Sequence, residues 1–145
     1  MRRVNLFALD LVAGFDRDGY RWRRARVGDQ LGATRIGGTV YELPDGERTF
    51  PYHFHHGMEE WAIVLDGTPT LRGPDGEREL RRGDVVCFPI GPEGAHQLAG
   101  PGTVLMLSAN REPEVLEYPD SGKVAGRPPG AFFRVGEAVD YWEGE

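Results

Sequence analysis

The sequence predicts an all-β chain closed into one small barrel. Turn-forming residues are frequent and evenly spread, with 21 glycines and 11 prolines in 145 residues. The apolar runs between them are short and end on turn signals, the pattern of a barrel or sandwich. No stretch holds an apolar period of 3.6 residues over three turns, so long amphipathic helices are not expected.

The elements follow in order. Residues 6–13 form the one short helix candidate. The N-terminal segment is basic and then apolar, but Asp10 interrupts it and no small-x-small cleavage site follows. It is therefore expected to belong to the domain and not to a signal peptide. Gly38 to Leu43 is a strand ended by Pro44-Asp45-Gly46, where proline presets φ and glycine accepts the reversal. Glu60 to Leu65 is a strand ended by Asp66-Gly67, a tight-hairpin signal, so Thr68 to Arg72 is expected to pair back on it. Gly73-Pro74-Asp75-Gly76 turns the chain again. Glu77 to Leu80, Asp84 to Phe88 and Thr103 to Ser108 continue the series. The core barrel spans about residues 35–110 of a single domain covering 1–145. The tail after 110 carries Pro113, Pro119, Pro128 and Pro129 but also Phe132, Phe133, Tyr141 and Trp142. A disordered tail is poor in aromatics, so this one is expected to wrap over the barrel or a partner chain.

Composition removes several function classes. No run of 18 apolar residues exists to cross a membrane as a helix. Seventeen basic against 23 acidic residues give a net charge of −6, which argues against broad contact with phosphate backbones. The one basic cluster, Arg21, Arg23, Arg24 and Arg26 around Trp22, reads as a solvated strand edge. A single cysteine, Cys87, permits no internal disulfide and fits a reducing, cytoplasmic location. It lies in an apolar strand and is expected to be buried and inert. Neither serine, Ser108 or Ser121, sits in a nucleophile elbow, and no phosphate-binding glycine loop is present.

The chemistry is concentrated in Pro51-Tyr-His-Phe-His-His-Gly-Met-Glu-Glu-Trp61. Three of the four histidines fall within residues 53–56. Strand alternation puts His53 and His55 on one face, roughly 7 Å apart, so that both imidazoles can reach an ion between them at about 2.1 Å. Phe54 and His56 then point the other way, with His56 as reserve ligand if a bulge intervenes. In the next strand Glu60, Ala62 and Val64 share a face that suits a barrel interior. Trp61, Ile63 and Leu65 face a second sheet or a subunit. Glu59 competes with Glu60 for the carboxylate role. The remaining histidine follows Gly83-x5-Pro89-x-Gly91 as His96.

These two segments resemble the paired motifs of the cupin superfamily. The first motif reads G-x5-H-x-H-x3-4-E-x6-G, and this chain has His53-x-His55-x4-Glu60-x6-Gly67. The second reads G-x5-P-x-G-x2-H-x3-N, matched from Gly83 to His96. Three departures stand out: Glu47 replaces the leading glycine, four residues separate Gly91 from His96, and Gly100 stands where asparagine is expected. The whole chain looks like a group of small bacterial single-domain cupins without an assigned reaction. The resemblance implies a double-stranded β-helix, or jelly-roll, barrel with an extended C-terminal tail. It also implies one divalent metal ion on His53, His55, Glu60 and His96.

Such a mixed set suits Fe, Mn, Ni, Co or Zn, and affinity order alone does not choose among them. Four protein ligands on an octahedral ion leave two positions for substrate, water or dioxygen. Three functions fit: a metal-dependent enzyme on a small organic molecule, of oxygenase or isomerase type; a non-catalytic metal-dependent binding or sensing module; or a structural metal barrel. The resemblance also implies a homodimer. Lys123 is the only lysine beside 16 arginines. It is expected to pair with a carboxylate, either Asp120 or that of a bound substrate.

Overall fold

Short β-branched and aromatic runs between glycines and prolines leave little room for helix, and the chain folds accordingly. The computed structural model describes residues 1–144. In chain order it contains β1 (Val12–Ala13), β2 (Arg23–Ala25), helix α1 (Val27–Leu31), β3 (Ile36–Leu43), β4 (Phe54–His55) and β5 (Glu60–Gly67). There follow β6 (Thr70–Gly73), β7 (Gly76–Glu79), β8 (Val85–Phe88), β9 (Gln97–Ala99), β10 (Gly102–Ala109), β11 (Glu114–Tyr118), β12 (Lys123–Arg127) and β13 (Ala131–Arg134). One sheet runs β1-β2-β3-β10-β5-β8. The opposite wall consists of two smaller sheets, β13-β12-β11-β4 and β7-β6-β9. A bridge between His53 and His96 joins these two.

Alternation divides the large sheet into two faces. Tyr41, Val104 and Val64 stand opposite one another across three strands, as do Met106 and Ala62. They face inward and pack with Leu71, Leu80 and Leu98 into the main core. The intervening Val40, Leu105 and Ile63 face outward into a second cluster with Leu65. That cluster is covered by the chain's own Val4, Leu6, Leu9 and Leu11. The predicted interior face of 60–64 is thus observed, whereas Trp61 stays 42% exposed.

Four local expectations are corrected. Residues 6–13 form no helix. Asn5 caps a turn by accepting from the Phe7 N–H at 3.0 Å, and the leucines lie flat on the sheet face. The hairpin between 60–65 and 68–72 does not form either. β5 pairs with β10 and β8, and β6 pairs with β7 and β9. At Gly67, with φ +78°, a Cβ would lie 2.6 Å from Gly102 Cα, and the chain crosses there to the other wall. Cys87 is exposed, because alternation in β8 sends Val86 and Phe88 to the core and Val85 and Cys87 outward. Finally, β2 is not an edge, since β1 pairs on its outer side.

The departures from the cupin motifs have local causes. Glu47 accepts from the Arg21 backbone N–H at 2.7 Å. The longer loop before His96 is taken up by a 3-10 turn over Pro92–Gly94. At Gly100 an added Cβ would sit 2.1 Å from the Pro44 carbonyl oxygen, so asparagine does not fit. Gly100→Asn is expected to lower stability by about 1–3 kcal/mol, the range for overpacking. Urea unfolding with an unchanged slope would measure this, and an unchanged midpoint would show that the contact relaxes freely.

Candidate metal centre

His53, His55 and His96 reach the site from both small sheets. Backbone bonds between His53 and His96 (3.3 and 2.9 Å) place them directly opposite in an antiparallel bridge, where side chains share a face. Their rings lie 4.8 Å apart. His55 belongs to β4, pairs with Leu116 and stands 5.1 Å from the His53 ring. The Gly91 N–H donates to the His55 carbonyl at 2.8 Å, tying the loop before His96 to this strand. Phe88 stacks on His96 at 3.8 Å, and Tyr118 stacks on His53 at 5.7 Å.

Glu60 enters from the large sheet. One of its oxygens, Oε2, lies 3.0 Å from His55 Nε2 and 3.4 Å from His96 Nε2. Ligand atoms of His53, Glu60 and His96 all fall within 4.8 Å of one another. The competing Glu59 is exposed and accepts from the Trp61 indole at 2.7 Å. His56 also turns outward, with Nε2 2.7 Å from Glu117.

The chemistry of these donors fits a metal ion. Each Nδ1 faces an acceptor: the Pro51 carbonyl for His53, Glu114 Oε1 for His55 and the Gly94 carbonyl for His96. An acceptor there holds the proton on Nδ1 and leaves the lone pair on Nε2. The Nε2 atoms of His55 and His96 are buried and have no hydrogen-bond partner among the described residues. Their close approach to Glu60 lacks hydrogen-bond geometry. Convergent lone pairs and a carboxylate in a desolvated space call for a cation.

Burial, with the charges of His96 and His55 adding to it, pushes His53 down to about 3. Burial disfavours ionised Glu60, but contacts with His55 and His96 outweigh it and hold the carboxyl well below its usual range.

Glu114 was not foreseen from the sequence. It is 1% exposed, and its Oε1 also accepts from the His56 and Gly57 N–H groups at 3.2 and 3.3 Å. Alternation along 114–118 carried a signal for it, since Glu114, Leu116 and Tyr118 share the inward face. Lys123 does not sit in a turn but opens β12, with Nζ 5.4 Å from the Tyr118 ring and 5.8 Å from Phe132. Asp120 is not its partner. Arg72 holds that carboxylate bidentately at 2.6 and 2.8 Å, and the same guanidinium lies 4.1 Å over the Tyr52 ring.

The comparisons agree with this architecture. Residues 39–109 match the cupin domain family. A sugar phosphate isomerase of the cupin superfamily from Silicibacter pomeroyi superposes with a TM-score of 0.81 at 22% identity, covering 95% of this chain and 96% of that one. A protein of Acidithiobacillus ferrooxidans described as a sugar phosphate isomerase gives 0.78 at 24%, covering 90% and 86%. The polyketide cyclase RemF of Streptomyces resistomycificus gives 0.59 at 28%, covering 79% and 83%. No curated protein sequence matches the chain. The fold and the histidine–glutamate cluster define a β-barrel with a candidate metal centre in its wall. Residues 39–109 thus form a cupin domain.

The titrations of His53 and Glu60 have one sign. Each takes up its proton at lower pH when folded than when unfolded, so the unfolded chain binds protons first on acidification. In metal-free protein the urea midpoint is expected to be steady above about pH 6.5 and to fall from there towards pH 3. A midpoint that rises over that interval would reverse the assignment.

Proposed function

We propose that this cupin is a metal-dependent enzyme acting on a small organic molecule, with the whole chain working as one domain. One divalent transition metal ion (Fe, Mn, Ni, Co or Zn) would be held by His53, His55, Glu60 and His96. The observation that carries this reading is the common arrangement of the imidazoles, each Nδ1 on its own acceptor beside one Glu60 carboxylate. When bound, the ion supplies a Lewis acid that polarises a substrate oxygen. The chain excludes water with Phe88 and Tyr118 and orients His55 through Glu114.

Of the two reaction types that fit, isomerisation comes first. The two structures described as sugar phosphate isomerases cover 90% and 95% of this chain. Oxygenation is tested beside it. A non-catalytic binding or sensing module is the second reading. It is favoured by one observation: among the described residues, apart from the proposed ligands, the buried polar residues are Thr49 and Glu114, and Glu114 is turned to His55 Nδ1 and to the His56 and Gly57 N–H groups. Lys123, held beside the ring that stacks on His53, is proposed to meet a substrate anion. An exposed free thiol at Cys87 suits the reducing cytoplasm.

Native protein is expected to carry about one transition metal per chain by elemental analysis, with turnover of phosphorylated sugars or oxygen uptake assayed on the loaded form. His53→Ala with His55→Ala should abolish the metal while the barrel stays folded by circular dichroism. Full occupancy in that double variant would rule the ligand set out. Lys123→Met should keep the metal and weaken a small carboxylate found by thermal shift by about 1.5–3 kcal/mol, the range for a charge-assisted hydrogen bond.

A homodimer is proposed from the exposed apolar side chains Trp61, Phe132, Phe133, Tyr141 and Trp142. Light scattering should give the mass of two chains at micromolar concentration, and a single-chain mass would refute it.

A further inference from the structure

We propose that Arg24 forms an oxyanion subsite on the barrel interior beside the metal centre and binds the phosphate or carboxylate group of the substrate. The inference rests on the metal-dependent reading above and names the class of molecule that site would take.

Arg24 differs from the arginines around it. Arg21 pairs with Asp16, Asp18 and Glu47, Arg23 with Glu42, and Arg26 with Asp29. Arg24 has no carboxylate partner among the described residues, although it is half-buried. The reason is its side of the sheet. In the β2–β3 register Arg24 stands opposite Tyr41 and Arg23 opposite Glu42. Directly opposed residues share a face, so Arg23 points out with Glu42 and Arg24 points in with Tyr41, a member of the main core.

The interior also holds the cation in place. Arg24 Cζ lies 5.3 Å from the Trp22 ring. Trp22 is itself fixed by donating its indole N–H to the Thr49 carbonyl at 2.8 Å. A guanidinium stacked on a ring keeps its N–H edges for acceptors in its own plane, which is the geometry that carboxylate and phosphate groups use.

A run of aromatic rings links Arg24 to the metal centre. An aromatic wall runs from Trp22 to Tyr41 (5.2 Å), from Tyr41 to Phe50 (5.5 Å) and from Phe50 to His53 (6.2 Å). Burial pushes the Tyr41 hydroxyl up, Arg24 and Thr39 hold it down through charge and hydrogen bonding, and Glu60 adds a smaller upward push. A small molecule that extends from the metal centre along this wall would present its anionic end to Arg24. A substrate oxyanion would give this guanidinium the charge-assisted partner that its neighbouring arginines already have.

The test is calorimetric titration of inorganic phosphate, and separately of acetate, into the full-length zinc-loaded protein. Wild type is expected to bind one anion per chain, and the preferred anion identifies the group. Arg24→Gln should weaken binding by at least about tenfold, the lower end for a lost charge-assisted hydrogen bond. Arg24→Lys, which keeps the charge, should retain part of the affinity and serves if the glutamine variant does not fold. Arg23→Gln, on the outer face, should bind as wild type, and zinc content should be equal in all four proteins. The proposal is overturned if neither anion binds wild type at tens of millimolar, or if the Arg24 variants bind as wild type does. It is also overturned if Arg24→Gln retains an affinity that disappears when zinc is removed, since the anion then sits on the metal alone. Failure to take up zinc would instead sink the metal-dependent reading, and the same titration on metal-free protein would still decide for Arg24.

Discussion

The antiparallel backbone bridge between His53 and His96 is the constraint on which both wall and site depend. Its two hydrogen bonds join the four-stranded and three-stranded sheets into one wall facing the large sheet. Opposed residues in such a pair project to the same side, so the bonds that close the wall also bring two imidazoles to 4.8 Å. Phe88, contributed by the large sheet, lies flat on His96 and fixes the ring from the other side of the barrel. Closing the barrel and assembling the ligand set are therefore one folding event.

Charge then decides what the assembled set can hold. The acceptors at the three Nδ1 atoms commit those protons outward and leave lone pairs pointing at a carboxylate. Lone pairs against a carboxylate repel unless a positive charge lies between them. Protonating His53 is not the remedy, because burial and its two imidazole neighbours oppose the charge. Glu114 adds to the imbalance, since it is fully buried behind His55 with Oε2 unpartnered. Carboxylates on both sides of one imidazole would be reconciled by the divalent ion proposed at its Nε2, and the energetic cost of the arrangement would then become metal affinity.

The sequence carried the local half of this picture. Alternation from His53 to His55 and from Glu60 to Val64 was enough to choose the inward faces, and the turn at Gly73–Gly76 is the hairpin that its residues specify. What it could not carry was which strands pair. Asp66-Gly67 looks like a hairpin turn, yet Gly67 serves a close crossing over Gly102, a contact made by a residue 35 positions away. Cys87 sits in an unbroken apolar run, and only the pairing of β8 with β5 shows that one of its faces meets solvent. Arg24 was hidden among its neighbours, because which arginine faces inward depends on the register against Tyr41. Asp120, three residues before Lys123, is claimed by Arg72 from another sheet.

The C-terminal strands show how a segment outside the cupin motifs becomes part of the centre. β11 pairs with β4, so the strand that carries His55 receives its other neighbour from the tail. This pairing brings Glu114 to His55 Nδ1 and places Tyr118 on the His53 ring, and the return strand β12 sets Lys123 over Tyr118. Two side chains from one hairpin thus touch two of the proposed ligands, with Lys123 behind one of them, though none belongs to either motif. The matched family segment ends at residue 109, just before this hairpin begins. The motif residues alone therefore describe a ligand set that could serve many chemistries, whereas the tail supplies part of its surroundings. Arg24 lies outside the same segment at its other end. Both flanks thus supply a cation proposed to meet an anion, and selectivity for an anionic molecule would be built from the parts of the chain outside the matched segment.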